Sequence, residues 1–437
     1  MSLFTPWIRR AALVSSLALL AASGAAAAKP AAARPPAEAH FTIAVLPDTQ
    51  NYIDYTHQTA AGFPFDASKM FLDQLQFVAD HLRSQGGDIA FVSGMGDVWQ
   101  HQTLPIDPAH AARGFKRVAN KLMDAEFAPT DKVLTVETPM ARRGYELIAG
   151  KTPFSVVPGN HDYDAMWTDA SHPPAPVFKD MSSLGELHAG GLDNFRSVFS
   201  DQSAFFKGKP WYVASHDGGA DSAQIFTAGG YRFLHIGLQF DPPNASLEWA
   251  ASVIKRYPGL PTIVSTHDFL ETDGQRLPNP IIDNHLVDPD DNTPQMVWDK
   301  FISRNDQIFL VLCGHEHAQA FRADDNASGH KVYQVLADYQ SRHQTADDAG
   351  YKRFHPEEGI GDGWMRLMSF DMSTPTPRVH VHTYSTVYKK ESIDTPDYAA
   401  WYKSREKPKL TDAEFHAADD FTFELTDFRR RFGPGPR

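Results

Sequence analysis

The stretch FSVVPGNHD, residues 154–162, places a short apolar run directly before a proline, a glycine and three polar side chains. Its β-branched and aromatic residues predict a buried strand, and Pro158 and Gly159 predict the turn that ends the strand. Asn160, His161 and Asp162 therefore stand at the carboxyl end of a predicted strand. An amide, an imidazole and a carboxylate grouped in this way are typical metal ligands and proton-transfer groups.

The same arrangement recurs along the chain, because polar residues directly follow five predicted strands in all. These residues are Asp48 and Gln50 after 41–46, Asp97, Gln100 and His101 after 88–94, Asn160, His161 and Asp162 after 154–157, His267 and Asp268 after 262–266, and His315 and His317 after 308–313. Ligands of α/β sheets bind at this edge. A lone Gly-Asn-His-Asp would fit a turn with an Asx hydrogen bond equally well. Five such groups in order instead indicate a site for two metal ions, roughly 3.5–4 Å apart in enzymes of this kind.

Apolar runs elsewhere complete the prediction of an α/β fold. Further strands are predicted at 231–238, 331–337, 364–370 and 378–384, and amphipathic helices at 68–85, from Ser246 and from Thr293, with Ser68 as a helix cap. Strands that alternate with such helices favour an α/β layer architecture, and the last two strands suggest a second sheet.

The segments 101–150 and 164–230 are predicted to be loop-rich insertions that shape the site. Four aromatic residues are candidate pocket walls, with a place in the core as the alternative: Trp99, Trp167, Tyr212 and Trp364. The motifs at 338–340 and 361–364 fit either the rim of the cleft or turns between strands. His235 is expected to be a hydrogen-bonded core residue.

The chain ends suggest export and a docked tail. Residues 1–28 combine Arg9 and Arg10 with an apolar run and a row of alanines, which predicts a cleaved signal peptide, with a twin-arginine route as an option. Its apolar run is shorter than the roughly 20 residues that span a bilayer. A Pro/Ala linker at 29–39, a domain at 40–390 and a packed C-terminal extension at 391–437 follow, with a strand around 421–425. The protein is therefore expected to be secreted or periplasmic, without a stable membrane anchor after cleavage.

Composition limits the partners. The formal net charge is −13, and removal of residues 1–28 makes it more negative, which argues against a nucleic-acid partner because phosphate backbones require a basic surface. A small phosphorylated substrate remains compatible if metal ions supply positive charge locally. Cys313 is the one cysteine and is predicted to be a buried core residue. Phosphate-binding glycine loops and the serine-hydrolase elbow are absent from the sequence.

The ordered motifs D-x-[H/Q], G-D-x-x, G-N-H-[DE], H and G-H-x-H resemble those of the calcineurin-like metallophosphoesterase superfamily, over residues 41–385. The pieces DTQNY, THDFL and GDGWMRLMSFD resemble a bacterial secreted branch of that superfamily. The resemblance implies a four-layer αββα sandwich of two mixed β-sheets flanked by helices. It also implies a hydrolase that cleaves phosphate mono- or diesters with a hydroxide bridging two metal ions.

The resemblance further implies a role for each matching residue. Asp97 would bridge the two metals, Asp48 and His317 would hold the first, and Asn160, His267 and His315 would hold the second. His161 would face the phosphate and protonate the leaving oxygen, and Asp162 would orient His161. The metal ions expected are divalent or trivalent, among Mn, Fe, Zn and Mg.

Two glutamines depart from the common pattern. Gln50 stands where many relatives have histidine, and Gln100 where many have aspartate. The first metal site would then be richer in oxygen, with the Gln50 carbonyl as a candidate ligand, which favours Mn, Mg or Fe over Zn. His101 is a candidate source of the missing nitrogen, although a surface or substrate-facing position is the expectation. The alternative function is a non-catalytic metal-binding module that retains the fold.

Overall fold

The predicted strands all form in the computed structural model of the chain, which describes residues 39–433 apart from 279, 281, 352–358, 396, 398, 399, 401, 405 and 406. The signal-peptide prediction, and the linker prediction except for its last residue, fall outside the described residues. The strands are β1 (His40–Leu46), β2 (Ile89–Gly94), β3 (Phe154–Val156), β4 (Ala165–Thr168), β5 (Leu187–Gly190), β6 (Tyr212–His216), β7 (Asp221–Ala228), β8 (Tyr231–Gly237), β9 (Thr262–Ser265), β10 (Ile308–Cys313), β11 (Gln319–Asp325), β12 (Lys331–Ala337), β13 (Trp364–Asp371), β14 (Arg378–Ser385), β15 (Lys390–Glu391) and β16 (Phe421–Glu424).

The helices lie between these strands and in the tail. They are α1 (Gln50–Ile53), α2 (Ser68–Asp80), α3 (Pro108–Ala112), α4 (Lys121–Glu126), α5 (Thr138–Glu146), α6 (Asp193–Phe199), α7 (Asn244–Arg256), α8 (Pro294–Lys300), α9 (Gln344–Asp348), α10 (Asp412–Asp419) and α11 (Phe428–Phe432). A π-helical segment, Val133–Glu137, leads directly into α5. Within the described residues no helix has the length and apolar character that crossing a membrane requires.

Among the described residues the strands form two seven-stranded mixed sheets and a two-stranded sheet of β4 and β5. The first large sheet runs β15-β14-β13-β1-β2-β3, with β16 also paired to β14. The second runs β11-β12-β10-β9-β8-β7-β6. β1, β2 and β3 are parallel, and so are β8, β9, β10 and β12. The carboxyl ends of the parallel strands therefore share one edge in each sheet.

Alternation along the strands explains how the sheets bury their faces. Ile43 and Val45 of β1 join a cluster that includes residues of both large sheets, where Phe41 stacks on Phe370 at 4.6 Å and lies 5.4 Å from Phe233. Ala44 and Leu46, which point the other way, join residues of α2, α5 and α6. A third cluster packs α7 and α8 on the second sheet. The protein is thus an α/β structure in which helices flank mixed sheets.

Several local predictions were wrong. Ser68 does not cap a helix: it is the first residue of α2, and its hydroxyl donates to Gln58 Oε1 at 3.0 Å. The segment 101–150 is about half helical, because it holds α3, α4, α5 and the π-helical segment, and irregular loops make up the rest. The segment 164–230 also contains β6 and β7, which complete the second sheet. Their mixture of small and polar residues hid the alternation that marks a strand.

The predictions for Cys313 and for the tail strand are confirmed. Cys313 is buried at the end of β10. β16 pairs antiparallel with β14, with Phe423 opposite Val379, and Phe423 packs on Tyr333 of the second sheet at 4.7 Å. The C-terminal segment therefore belongs to the body of the protein.

Candidate functional site

The polar residues that follow the strands meet at one place. The loops after β1, β2 and β3 of the first sheet carry Asp48, Asp97 and Asn160, and the loops after β9 and β10 of the second carry His267 and His315. The loop after β12 adds a sixth segment. Five of these loops contain residues singled out from the sequence as ligands.

His267 lies at the centre of this group. Its Nε2 atom is 3.1 Å from Asn160 Oδ1, 3.2 Å from His315 Nδ1 and 3.3 Å from Asp97 Oδ1. Its Nδ1 atom donates to the Met95 carbonyl at 2.7 Å. In the neutral tautomer that hydrogen bond directs the lone pair of Nε2 toward the other three side chains, which is how a backbone carbonyl prepares a histidine to bind a metal.

The two carboxylates are held by donors on both sides. Asp97 accepts from the His161 amide at 2.9 Å and from Gln50 Nε2 at 3.2 Å. Asp48 accepts from the His315 amide at 3.0 Å and lies 3.8 Å from His267 Nε2. Both carboxylates are almost fully buried. The protein therefore shields both carboxylates from most of the solvent.

Several oxygens around the site accept no hydrogen bond from the described residues. Five buried side-chain oxygens there have no hydrogen-bond partner among the described residues: Asp48 Oδ1, Gln50 Oε1, Gln100 Oε1, Asp338 Oδ2 and Gln340 Oε1. A buried oxygen without a partner is costly, and it is rare in folded proteins unless a further group binds it. Oxygen-rich donor sets with some imidazole suit hard or borderline cations. The residues present therefore fit a metal centre.

Positive charge at the site would stabilise the buried carboxylates of Asp48 and Asp97. Burial raises the pKa of Asp48 to about 8, and the nearby charge of Asp97 adds to the effect. Burial would lower the pKa of His267, but the charges of Asp97 and Asp48 raise it to about 10. Desolvation lowers the pKa of His315 to about 3 and that of His317 to about 4, so both imidazoles stay neutral. Burial therefore disfavours negative charge on Asp48 unless a positive group lies beside it, and the neutral nitrogens of His315 and His317 are available as ligands.

Backbone geometry at the site is strained and close-packed. Asp97 and His315 have left-handed φ angles of 44° and 72°. Non-glycine residues seldom adopt this region, and such strain is concentrated at functional sites. Gly159 has an ordinary φ of −94°, but a Cβ atom there would lie 2.2 Å from Asp97 Oδ1. Gly314 has the same role, because its Cβ would lie 2.1 Å from Asp48 Oδ1. The glycines allow the loops to approach the carboxylates.

His161 is oriented by a different group from the one expected. The prediction that Asp162 orients His161 was wrong: the imidazole Nδ1 donates to the Gln100 carbonyl at 2.6 Å. Asp162 accepts instead from the amides of Val98 and Gly159, both at 2.9 Å. The carboxylate therefore joins two loops that carry candidate ligands. His161 Nε2 is left 4.0 Å from Asp97 Oδ2, and both residues line a cavity that opens over the site.

His101 is neither a ligand of this centre nor a surface residue. It is buried, and its Nδ1 lies 2.8 Å from Glu137 Oε1 and 3.9 Å from Asp54 Oδ1. Glu137 ends the π-helical segment and also accepts from the Tyr55 amide at 3.2 Å. No sequence motif indicates this contact, because Glu137 follows no strand. It anchors the loop whose Gln100 carbonyl orients His161.

The remaining predictions near the site divide in two. Gln340 lines the cavity and its amide contacts His317 Nε2, so the segment 338–340 does reach the site. The segment 361–364 packs elsewhere, where the Gly363 amide donates to Tyr52 Oη at 2.9 Å. Four aromatics considered as walls lie in core clusters or against them: Trp99, Trp167, Tyr212 and Trp364.

Outside the candidate metal centre, His235 has the predicted place in the core. It is fully buried, its Nδ1 donates to Gln224 Oε1 at 2.9 Å, and its Nε2 lies 2.8 Å from Ser265 Oγ. Burial lowers its pKa to about 3. This histidine is neutral and structural.

Comparison with known proteins adds a distant relative. No protein-family model matches the chain. A protein of Bacillus subtilis (strain 168), described as "Uncharacterized protein YvnB", is 23% identical over 371 residues. The match covers 83% of this chain and 21% of the relative, so the chain spans about a fifth of that protein's length. The relative's name states no activity, and the function must be argued from the site.

Proposed function

We propose that this protein is a metal-dependent phosphoesterase of the calcineurin-like superfamily, which hydrolyses phosphate mono- or diesters. The observation that carries the proposal is the position of His267 Nε2, within 3.3 Å of Asn160 Oδ1, His315 Nδ1 and Asp97 Oδ1. These are four of the residues that the motif order assigns as ligands, and they come from four separate loops. The approach of four candidate ligands from four loops supports a shared metal site.

The donor set divides into two groups around Asp97. Asn160, His267 and His315 would hold one cation, and Asp48 and His317, with the oxygen of Gln50, would hold the other. Two bound cations would neutralise the phosphate oxygens and make water acidic enough to act as a nucleophile. The unpaired Asp48 and Gln50 oxygens support this division.

His161 would supply the proton for the leaving oxygen. The Gln100 carbonyl accepts from Nδ1 and so turns Nε2 toward the cavity. A protonated Nε2 could donate to the alcohol oxygen as its bond to phosphorus breaks, and the charged ring would stabilise the phosphate in the transition state. The Asp162 carboxylate accepts hydrogen bonds from the amides of Val98 and Gly159, and so would fix the loops of Asp97 and His161 relative to each other.

The fold and the composition of the N-terminal residues support the proposal. The shared cluster between the two large sheets and the helices on their outer faces support a four-layer αββα sandwich. The signal-like residues 1–28 support export to the periplasm or medium. The non-catalytic alternative is favoured by Gln50 and Gln100, but a binding module has no use for an acid such as His161 beside its metals.

Metal content and hydrolysis test the proposal together. The full chain would be freed of metal, reloaded with Mn, Fe, Zn or Mg, and assayed on p-nitrophenyl phosphate and bis(p-nitrophenyl) phosphate, with metal per chain measured by plasma mass spectrometry. We expect two ions per chain and hydrolysis of at least one ester. Asp97→Ala should lose both metal and rate, because it removes the shared ligand.

The histidine variant separates catalysis from binding. His161→Ala should keep its metal and lose about 10²–10⁴-fold in rate, as expected for a general acid. His330→Ala is the matched control, since that histidine pairs with Asp306 away from the cavity. Metal binding without hydrolysis under every loading would favour the non-catalytic module, and a chain that binds no metal would refute both functions.

A further inference from the structure

A large cavity opens over the candidate metal centre, and its two sides differ in chemistry. Its volume is about 680 Å³, within the range of small-molecule sites. The polar side includes Asp97, Asn160, His161 and His315. The other side is apolar, and its lining residues include Leu122, Met123, Phe127, Met166, Leu187 and Ile282. A ligand with its phosphate on the metals would therefore place its other end against hydrocarbon.

The apolar side, which we call the aliphatic wall, is made of three segments tied together. It comprises the apolar cavity-lining residues of 121–127, 166–187 and 277–282, which leaves out Lys121. Asn120 Nδ2 donates to Thr168 Oγ1 at 2.9 Å and to the Leu184 carbonyl at 2.8 Å, which fixes α4 to the second segment. Leu187 forms a parallel bridge with Ile282, which fixes the third. These contacts hold the three segments of the wall in fixed positions relative to one another.

The wall offers little to a polar ligand. A nucleoside or a sugar would bury several donors and acceptors against leucine and methionine side chains, and each unpaired group would weaken binding. Lys121 is the one lysine or arginine among the described residues that line the cavity, whereas Glu271 and Glu316 line it too. A polyanion such as a nucleoside triphosphate would find no second basic side chain there. An aliphatic chain gains about fourfold in affinity for each methylene it buries.

We propose that the aliphatic wall binds the alcohol portion of the substrate, so that the substrates are phosphate esters of aliphatic alcohols. The reaction at the phosphate rests on the proposed function, but the preference for an alkyl chain rests on the cavity. The phosphate would lie at the metal centre with His161, and the chain would extend along Leu122, Met123 and Leu187. Most wall residues are flexible or branched aliphatic side chains, which suit an alkyl chain better than a flat ring.

Binding of n-alkylphosphonates of two to ten carbons to the metal-loaded protein tests the proposal. These probes carry a phosphorus–carbon bond that the reaction does not cleave, so calorimetry reports binding alone. We expect Kd to fall two- to fourfold per methylene over at least four methylenes. A Kd that does not depend on chain length, no binding of any alkylphosphonate, or tighter binding of phenylphosphonate or adenosine monophosphate than of octylphosphonate would overturn it.

A pair of leucine variants locates the binding surface. Leu122→Ser removes a partly buried wall residue. We expect it to raise the Kd of octylphosphonate by about three- to tenfold more than the Kd of ethylphosphonate. Leu134→Ser is the matched control, because Leu134 is 50% exposed and lies outside the lining residues. Equal effects of the two variants on the chain-length series would place the alkyl chain elsewhere and overturn the proposal.

The outcomes separate this inference from the proposed function. Metal-dependent hydrolysis without dependence on chain length would refute the aliphatic preference and leave the phosphoesterase intact. Chain-length dependence of phosphonate binding without hydrolysis of any ester would keep the wall as a binding site for alkyl phosphates and refute the enzyme.

Discussion

Contacts between single atoms at the site predict that several of its residues tolerate little change. His315 holds a left-handed φ of 72° while its amide donates to Asp48 at 3.0 Å. A strained backbone of this kind costs about 1–3 kcal/mol, and it persists because the surrounding contacts fix it. The adjacent Gly314 lets the loop come close enough for that hydrogen bond to form. Strain and close approach both serve the position of the Asp48 carboxylate.

Replacement of Gly314 by alanine should therefore remove metal as well as stability. The new Cβ would lie 2.1 Å from Asp48 Oδ1 and 3.1 Å from Met95 Cβ, so the carboxylate must move. We expect a loss of about 1–3 kcal/mol in the free energy of unfolding, and fewer metal ions per chain. Gly208→Ala is the control: its φ of +70° makes alanine strained, but nothing lies within 4 Å. Equal metal content in the two variants would contradict the argument.

At the scale of elements, apolar runs and the polar residues after them carried most of the information. The parallel strands β1, β2, β9 and β10 were predictable because burial on both faces requires continuous apolar sequence. β6 and β7 were not predicted, since most of their residues are small or polar. The candidate ligands could be named because each follows a strand and belongs to one of the ordered motifs. The partners of His161 and His101 could not, because Gln100 acts through its backbone carbonyl and Glu137 approaches from a distant helical segment.

The packing of β8 between β7 and β9 makes stability depend on pH through His235. Its pKa near 6.5 in the unfolded chain falls to about 3 in the folded protein because the ring is buried. Between these values the unfolded chain binds a proton that the folded protein excludes. The stability contribution is complete above pH 6.5 and is lost as pH falls toward 3, by about 2 kcal/mol at pH 5.

Urea unfolding between pH 8 and pH 5 checks this expectation. His235→Gln should unfold at lower urea at pH 8, because it disturbs hydrogen bonds to Gln224 and Ser265, yet lose less stability on acidification than the unmodified protein. An unaltered pH slope in His235→Gln would show that other groups cause the acid sensitivity.

For the whole molecule, the C-terminal segment is joined to the loops that reach the site. Asp419, at the end of α10, lies 3.4 Å from Arg342 Nη2 and 3.6 Å from Arg366 Nη2, and all three side chains are buried. Arg342 also lies over the ring of Tyr339, at 4.4 Å, in the segment that continues to Gln340. The C-terminal segment therefore contacts, through Arg342, the segment that carries Gln340, although it supplies none of the proposed ligands.

Asp419→Ala should destabilise the entire fold. The substitution leaves two buried guanidinium groups without the carboxylate that lies between them, and breaking a buried ion pair in this way costs about 3–5 kcal/mol. Glu424→Ala is the control in the same segment: its pair with Arg378 at 3.3 Å is exposed, and such pairs contribute about 0–1 kcal/mol. Urea unfolding of both variants measures the difference. If Asp419→Ala unfolds at the same urea concentration as Glu424→Ala, the C-terminal segment stabilises the fold only through the apolar packing of β16. The ion pairs that connect α10 through Arg342 to the site would then make no measurable contribution to the free energy of unfolding.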